Sequence, residues 1–265
     1  NFKNMKGIAK AKSEIIENII GGGKIILNRD DKFFNFLFQK AKSYNLEIIT
    51  YGKHRESNIL LKRVVEKNGN LKIFVKIDNQ NLDYELRDIN IYNVLAGLAV
   101  LHELKIDVKN IKSKKKNLQP TAGRGKNYNI LRYKKKFRFI DESYNANPLS
   151  VKNAILRLNS FKKEKFKKYL VLGDMLELGQ KSRKYHEEIS KVINNSDIDK
   201  VFVKGKQTIF TYKNLNKDKR GNILQNIEDI DLNLRSIISN NDCLMIKGSN
   251  ATGLNNFSKN IIKGI

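Results

Sequence analysis

The spacing of hydrophobic and polar positions changes along the chain and divides it into two parts. In the first part, an isoleucine-rich stretch at helical spacing ends at Gly21-Gly22-Gly23. Short apolar and alternating runs then predict strands, with a strong hairpin signal at Asn68-Gly69. The predicted helices cover residues 3–19, 30–42, 90–104 and 108–118, and the predicted strands cover 24–28, 47–51, 59–67, 71–77 and 82–86.

The second part alternates strands with helices. It follows residues 119–126, which hold one of the two prolines and two glycines and are predicted to form an interdomain hinge. Strand–helix alternation predicts a parallel sheet covered by helices on both faces, and the fold class is therefore α/β. The predicted strands cover 137–141, 169–172, 200–203, 222–225 and 243–246, and the predicted helices cover 150–161, 182–193, 207–212, 231–239 and 254–262.

Composition narrows the class of protein. Hydrophobic residues make up 40% of the chain, which is enough for a packed core, and no apolar run approaches the ~20 residues that span a bilayer. The single cysteine, Cys243, excludes an internal disulfide framework and favours a reducing compartment. The net charge of +25 leaves a basic nucleic-acid-binding α/β protein as an alternative. Because the basic residues are dispersed, with no stripe of interleaved aromatics, solvated basic surfaces are favoured.

Two polar strings in the second part follow predicted strands. Residues 141–148, Asp-Glu-Ser-Tyr-Asn-Ala-Asn-Pro, lie where one strand ends and a helix begins, at the sheet edge where open α/β folds bind ligands. Residues 172–179, Leu-Gly-Asp-Met-Leu-Glu-Leu-Gly, form a similar loop with two acids and two glycines. A polar turn opened by Pro148 and an ordinary strand-to-helix loop are the alternative interpretations. We interpret His186 as the partner of a local hydrogen bond near Ser182, and not as a metal ligand.

Together the two strings resemble the MurF-type branch of the Mur ligase family, whose members carry "DDSYNANP" or "DESYNANP" and then "LGDM-ELG" in this order. The resemblance implies the carboxy-terminal part of a central ATP-binding domain over residues 1–122 and a Rossmann-like carboxy-terminal ligase domain over 123–265. Weaker matches in the same order are Lys247-Gly248-Ser249 with a terminal "KGS", Arg124 with a "GR" that ends the central domain, Asn90 and Asn93 with an adenine-binding helix, and Lys12 with the second lysine of "F-----A-AK-EI".

The resemblance implies a cytoplasmic, monomeric, ATP- and Mg²⁺-dependent ligase of cell-wall synthesis. Its substrates would be UDP-N-acetylmuramoyl-tripeptide and D-alanyl-D-alanine, which it would join through an acyl phosphate. Neither a nucleic-acid partner nor a transmembrane segment is expected. Other Mur-superfamily ligases, of the folyl-polyglutamate or diaminopimelate-adding type, and a non-catalytic relic are the nearer alternatives.

The family's residues carry over to positions of this chain. Lys12, Arg124 and Asn145 would be catalytic, and a carbamylated Lys12 would offer Mg²⁺ the oxygen ligand it prefers. Asn93, with Asn90, would bind adenine because an amide both donates and accepts. The planar guanidinium of Arg124 suits phosphate oxygens.

Further residues would contact the nucleotide and the dipeptide. Asp141, Glu142 and Tyr144 would face the nucleotide. Asn147 would line the cleft where ATP and the dipeptide meet. The negative charges of Asp174 and Glu177 suit the dipeptide's ammonium group. Lys247 and Ser249 could hold its carboxylate.

The chain also departs from the family pattern. A Gly-Lys-Thr/Ser phosphate loop is absent, and Gly21-Gly22-Gly23-Lys24 has the wrong spacing and precedes a strand. Arg87-Asp88-Ile89 stand where the family has a glycine and a histidine. The family's amino-terminal UDP-sugar domain is missing too. These departures imply a truncated sequence that binds ATP poorly and does not ligate by itself.

Overall fold

A computed structural model describes residues 5–67, 70–86, 90–108, 120–161 and 166–264. The chain divides into two compact units, which we call the amino-terminal unit, Phe2–Gln119, and the carboxy-terminal unit, Pro120–Ile265. The predicted turn at Asn68-Gly69 and the predicted helix over 108–118, apart from Val108, lie outside the described residues. Within the described ranges no helix has the length and apolarity needed to cross a bilayer.

The amino-terminal unit is a five-stranded sheet packed with helices. The sheet has the order β1-β2-β3-β4-β5, with β1, β2 and β3 parallel and the last three strands antiparallel. Alternate residues of a strand face opposite sides, so Ile26 and Ile49 pack with α3 while Ile25 and Ile48 belong to the core under α1 and α2. Its elements are α1 (Met5–Glu17), β1 (Lys24–Asn28), α2 (Phe34–Ser43), β2 (Glu47–Gly52), β3 (Ile59–Lys67), β4 (Asn70–Ile77), β5 (Gln80–Leu86) and α3 (Ile91–Glu103).

The second helix begins later than the sequence predicted. It begins at Phe34 and not at residue 30. The side chain of Asn28 accepts from the Asp30 backbone N–H at 3.0 Å, and that of Asp31 accepts from the Phe33 N–H at 2.7 Å. These local side-chain bonds hold residues 28–33 in a turn and compete with the helix.

The carboxy-terminal unit is a six-stranded sheet in the order β10-β9-β8-β11-β7-β6. One face is covered by α4 and α5 and the other by α7 and α8, as the sequence predicted. Its elements are β6 (Lys126–Arg132), β7 (Lys135–Glu142), α4 (Pro148–Ser160), β8 (Lys168–Gly173), α5 (Ser182–Asn194), β9 (Lys200–Lys204), α6 (Thr208–Lys213), β10 (Arg220–Ile223), α7 (Ile227–Ile237), β11 (Cys243–Lys247) and α8 (Leu254–Lys263).

The predicted parallel sheet is present in β7 to β11, but the additional edge strand β6 was not predicted. This edge strand pairs antiparallel with β7. The two are joined by Tyr133 and Lys134, both in the left-handed region with φ of 57° and 58°. Such a turn is usually marked by Asn or Gly, and neither is present. Helix α7 likewise begins at Ile227 and not at 231, because Asn226 and Asp229 form a capping box.

Candidate functional site

The carboxyl ends of three neighbouring strands bring the polar strings together. Lys247, at the end of β11, is in register with Glu142 of β7 on one side and Leu172 of β8 on the other. The loops after these strands therefore meet at one edge of the carboxy-terminal sheet, which is where parallel α/β sheets place ligand sites. We call this group of loops, together with residues 120–125, the strand-end cluster.

Asp141 fixes the turn that carries Arg124. This aspartate is 1% exposed, and its carboxylate accepts from the Gly123 N–H at 2.7 Å and from the Ser143 hydroxyl and N–H at 2.5 and 3.2 Å. The Gly125 N–H donates to the Asp141 carbonyl at 2.7 Å. Both glycines that flank the arginine are thus bonded to one residue of β7.

The turn leaves no room for side chains beside Arg124. Gly123 and Gly125 have φ of 77° and 93°, and added Cβ atoms would lie 2.8 Å from the Tyr144 Cβ and 2.4 Å from Arg157 Nη1. Glycine is the residue that adopts such a backbone without cost. The guanidinium of Arg124 lies 4.4 Å from the centroid of the Tyr144 ring, at cation–π distance. Both side chains are exposed, so the arginine is positioned and still accessible.

The half-buried Glu142 and the buried Lys247 form a charged pair next to this turn. Lys247, 2% exposed, donates to the Asn145 carbonyl at 2.5 Å, and its Nζ lies 3.7 Å from Glu142 Oε2. Glu142 Oε1 lies 3.5 Å from Arg157 Nη1. Burial raises the pKa of Glu142 against the two cations, and burial lowers the pKa of Lys247 against the carboxylate. The pair therefore holds the loop after β7 from below.

Asp174 and Ser249 join the remaining loops. Asp174, 7% exposed, accepts from the backbone N–H groups of Gln207 and Thr208 at 3.0 and 2.8 Å, and so caps the start of α6. The Ser249 hydroxyl, also buried, accepts from the Leu176 N–H at 3.1 Å and lies 3.4 Å from the Ala146 carbonyl. These two residues bind the protein's own backbone.

Five predicted site residues are exposed in the strand-end cluster: Arg124, Tyr144, Asn145, Asn147 and Glu177. Asn147 is the N-cap of α4 and forms a capping box with Ser150, so the polar-turn interpretation of this string is correct for Asn147. Glu177 has a φ of 64°, which turns the backbone sharply within the loop after β8.

His186 supports the loop after β8 from below, and the predicted local hydrogen bond is confirmed. The ring lies 2.9 Å from the Ser182 carbonyl through Nδ1, and Nε2 accepts from the Met175 N–H at 3.1 Å. Accepting at Nε2 requires the neutral ring. Burial lowers the pKa of this histidine, which keeps it neutral.

The predicted residues of the amino-terminal unit are dispersed. Lys12 is exposed on α1, and Asn93 is exposed in the first turn of α3. Asn90 is the N-cap of α3, where its side chain accepts from the N–H groups of Tyr92 and Asn93 at 2.9 and 3.3 Å. In the part of this unit that the structure describes, no contact joins Lys12 to the two asparagines.

Sequence reasoning missed a residue that organises this unit. Asp30 accepts from the N–H groups of Lys53 and His54 at 2.7 and 3.2 Å and from the Tyr92 hydroxyl at 2.9 Å. It therefore links the ends of β1 and β2 to the start of α3. A carboxylate directly after a buried parallel strand was the signal for it.

Comparison with known protein families identifies both units. Residues 1–101 match the Mur ligase middle domain, and residues 128–250 match the Mur ligase glutamate ligase domain. The chain belongs to the Mur ligase family.

Named relatives and solved Mur ligase structures agree with this. The chain is 28% identical, over 99% of its length, to the UDP-N-acetylmuramoyl-tripeptide--D-alanyl-D-alanine ligase of Buchnera aphidicola from Acyrthosiphon pisum, and 29% identical, over 97%, to that of Bacillus subtilis. It spans 57% and 55% of these relatives. The MurF ligase of Thermotoga maritima, solved with ADP, superposes with a TM-score of 0.72 at 22% identity, over 100% of this chain and 60% of that one.

Two further polar residues of the Mur ligase strand-end cluster were not predicted. Arg157, in the last turn of α4, donates to the Gly125 carbonyl at 2.9 Å. Asn255, 8% exposed in α8, donates to the Ser143 hydroxyl at 3.3 Å. Neither residue lies in a string that resembles the family. An arginine in the last turn of a helix is usually expected to be a solvated cation that favours the helix C-terminus. Only the fold brings them to the cluster.

Proposed function

We propose that this chain contributes to the ATP-dependent ligation of D-alanyl-D-alanine to UDP-N-acetylmuramoyl-tripeptide in peptidoglycan synthesis. The relatives from Buchnera aphidicola and Bacillus subtilis bear this activity in their names and match almost the whole chain. The observation that carries the proposal is that the SYNANP, LGDM-ELG and KGS strings meet at one sheet edge around Arg124. A cytoplasmic monomer is part of the same proposal.

Arg124 is the residue best suited to phosphate. ATP would supply the phosphoryl group that activates the tripeptide carboxylate, and the protein must neutralise the crowded negative charge. The Arg124 guanidinium is exposed and planar, and the backbone that carries it is held through both flanking glycines. Among the described residues the contact of its guanidinium is the Tyr144 ring, and no hydrogen bond or ion pair of this guanidinium is found there. Its donors are therefore available to phosphate oxygens.

The exposed carboxamides of Asn145 and Asn147 lie on the loop after β7, which also carries Tyr144, the ring that Arg124 contacts. The Asn147 oxygen caps α4, which leaves its amide N–H₂ to donate outwards. Asn145 is held through its backbone carbonyl, which accepts a hydrogen bond from Lys247 Nζ. We assign both to orientation of the reacting groups, and we assign Asp141 and Glu142 to holding the loop and the Arg124 turn.

In the amino-terminal unit, Asn93 suits a purine because its exposed amide can both donate and accept. Asn90 would act by ordering the first turn of α3. The Mg²⁺ site is less complete: no group of three histidine, cysteine or acidic side chains suited to a metal occurs within the described ranges. A carbamylated Lys12 would contribute one oxygen ligand, and we assign no other.

For the incoming dipeptide, the exposed carboxylate of Glu177 suits the ammonium group. Asp174, Lys247 and Ser249 are 7%, 2% and 5% exposed and bind backbone groups. We therefore propose that these three residues act on the dipeptide by shaping the loops that receive it.

The test joins this chain to the preceding segment of the Bacillus subtilis relative and compares the chimera with the 265 residues alone. We expect D-alanyl-D-alanine-dependent phosphate release, and the ligated product by mass spectrometry, from the chimera and not from the 265 residues. Arg124→Ala should abolish release while the protein stays folded. A folded chimera that consumes ATP with another amine, or with none, would contradict the proposed substrate.

A further inference from the structure

The Gly123-Arg124-Gly125 turn is held from two sides, and the two supports differ in origin. Asp141 holds Gly123 and the N–H of Gly125 from the adjacent strand, within the motif itself. The carbonyl of Gly125 is held by Arg157, which lies 32 residues further along the chain and belongs to no motif.

We propose that Arg157 is a positioning residue for Arg124. Its Nη1 donates to the Gly125 carbonyl at 2.9 Å and lies 3.5 Å from Glu142 Oε1. A single guanidinium thus links the turn to the end of β7, from which Glu142 also approaches Lys247. The proposal deepens the proposed function, because the phosphate contact of Arg124 rests on it.

The geometry explains why an arginine stands at this position. Side chains of a helix lean towards its N-terminus, so Arg157 reaches from the last turn of α4 back towards the sheet edge where α4 begins. Its planar fork carries several N–H donors in fixed directions, which suits contact with a carbonyl and a carboxylate at once. Its side chain is 21% exposed and is therefore partly shielded from water.

The backbone at Gly125 is shaped to receive Arg157. A Cβ there would lie 2.4 Å from Nη1 and 2.9 Å from Glu142 Oε1, and the φ of 93° excludes most other residues. The glycine thus permits the guanidinium to approach the backbone closely. On the other side of Arg124, the Tyr144 N–H donates to the Gly123 carbonyl at 3.0 Å, so the turn also fixes the ring on which Arg124 lies.

An arginine that merely favours the helix C-terminus or pairs with Glu142 would give α4 some stability and leave Arg124 unaffected. The two roles are separated by the Nε–Hε signal of Arg124 in ¹H–¹⁵N spectra of the 265-residue chain, because the Tyr144 ring shifts that signal. Arg124→Lys assigns it by deletion. The matched control is Arg183→Met, which removes an exposed arginine of α5 that pairs with Glu187.

We expect Arg157→Met, which keeps an unbranched apolar stem, to move the Arg124 signal towards the position of a solvated arginine, and Arg183→Met to leave it unchanged. Gly125→Ala should disturb the same contact between Arg157 and the Gly125 carbonyl through the backbone. It should move the Arg124 signal in the same direction. An Arg124 signal that keeps its wild-type position in either folded variant would overturn the proposal.

A second measurement separates this proposal from the proposed function. In the chimera, Arg157→Met should raise the KM for ATP at least several-fold, with Arg183→Met as control. If the Arg124 signal moves and the KM for ATP does not, the positioning role stands and the role of Arg124 in phosphate binding fails. If the signal does not move, the positioning role fails whatever the kinetics show.

Discussion

The two units hold their candidate residues in different ways. In the carboxy-terminal unit, Asp141, Lys247 and Ser249 are buried and tie four loops into one cluster. In the amino-terminal unit, Lys12 and Asn93 are exposed on separate helices, and the carboxylate of Asp30 links two strand ends to the start of α3 without contacting either residue in the part of the unit that the structure describes. The first arrangement is a complete network, and the second is a surface with separate contact points.

The difference determines how far each unit orders its candidate residues before a ligand binds. A network of buried hydrogen bonds fixes its exposed members before any ligand arrives, which lowers the ordering cost of binding. Residues on separate helices can act together only when they contact the same ligand or the same neighbouring segment. We therefore expect substitutions in the strand-end cluster to affect folding and function together, and substitutions in the amino-terminal unit to separate the two.

The largest effect is expected for Asp141→Ala. The substitution leaves the buried N–H groups of Gly123 and Ser143 without their charged acceptor, and bonds to charged groups contribute about 1.5–3 kcal/mol each. We expect the carboxy-terminal unit to lose about 3–5 kcal/mol of its free energy of unfolding. Hydrogen exchange measured by mass spectrometry will show which unit opens.

The control for this substitution is Asp218→Ala, which removes an exposed aspartate from the same unit. It should change the free energy of unfolding by less than about 0.5 kcal/mol. Equal effects of the two substitutions would mean that the Asp141 network adds nothing specific, and the contrast between the units would lose its basis.

The sequence predicted some residues of the site and not others, depending on whether a local pattern marks them. The strings around Asp141 and Asp174 were recognisable because polar residues directly after buried parallel strands gather at one sheet edge. The structural roles of Lys247 and Asp174 could not be recognised from the sequence, because their burial and their backbone contacts depend on how the loops pack. Arg157 could not be found at all, because its contact joins residues 32 positions apart and leaves no local pattern.

The fold was predicted to the same extent and with the same kind of failure. Strands and helices with a clear period were located to within a few residues. The edge strand β6 escaped prediction because its turn at Tyr133 and Lys134 lacks the usual turn residues. Hairpin pairing with β7 stabilises this strand, and its two-residue turn carries no recognised turn signal.

The next effect in size is the loss of a helix cap, which can be compared between the units. Asn90 caps α3 and Asn147 caps α4. Each change to alanine should cost about 1 kcal/mol in the unit that carries it. Because Asn147 also belongs to the strand-end cluster, Asn147→Ala should in addition move the Arg124 Nε–Hε signal. An unchanged signal in folded Asn147→Ala would show that this cap does not help to position Arg124.

His186 and His102 should titrate on opposite sides of the ordinary histidine pKa of 6.5. Burial lowers the pKa of His186, so its contribution to stability is present above pH 6.5 and is lost as the pH falls through the folded-state pKa. The Asp78 carboxylate, 2.8 Å from Nε2, raises the pKa of His102, helped by Glu103 and opposed by partial burial. Its contribution is present below pH 6.5 and is lost as the pH rises through the folded-state pKa.

This titration can be followed by the Cε1–H signals, assigned with His186→Gln and His102→Gln. A protonated His186 can no longer accept the hydrogen bond from the Met175 N–H, so acid should destabilise the carboxy-terminal unit at the loop after β8. His186→Gln should remove part of that sensitivity. Titration of both rings on the same side of pH 6.5 would show that their surroundings do not differ as the structure implies.

The smallest effect on folding, and the sharpest separation of folding from function, is expected for Asn93→Ala. Its side chain is exposed, so the free energy of unfolding should change by less than about 0.5 kcal/mol. If the amide binds the base, ADP affinity of the chimera should fall by about tenfold, which corresponds to about 1.4 kcal/mol. Gln39→Ala, which removes another exposed amide from α2 of the same unit, should change neither quantity. Equal ADP affinities for the two variants would remove Asn93 from the nucleotide site and leave Asp30, through Tyr92 and the loop after β2, as the residue to test next.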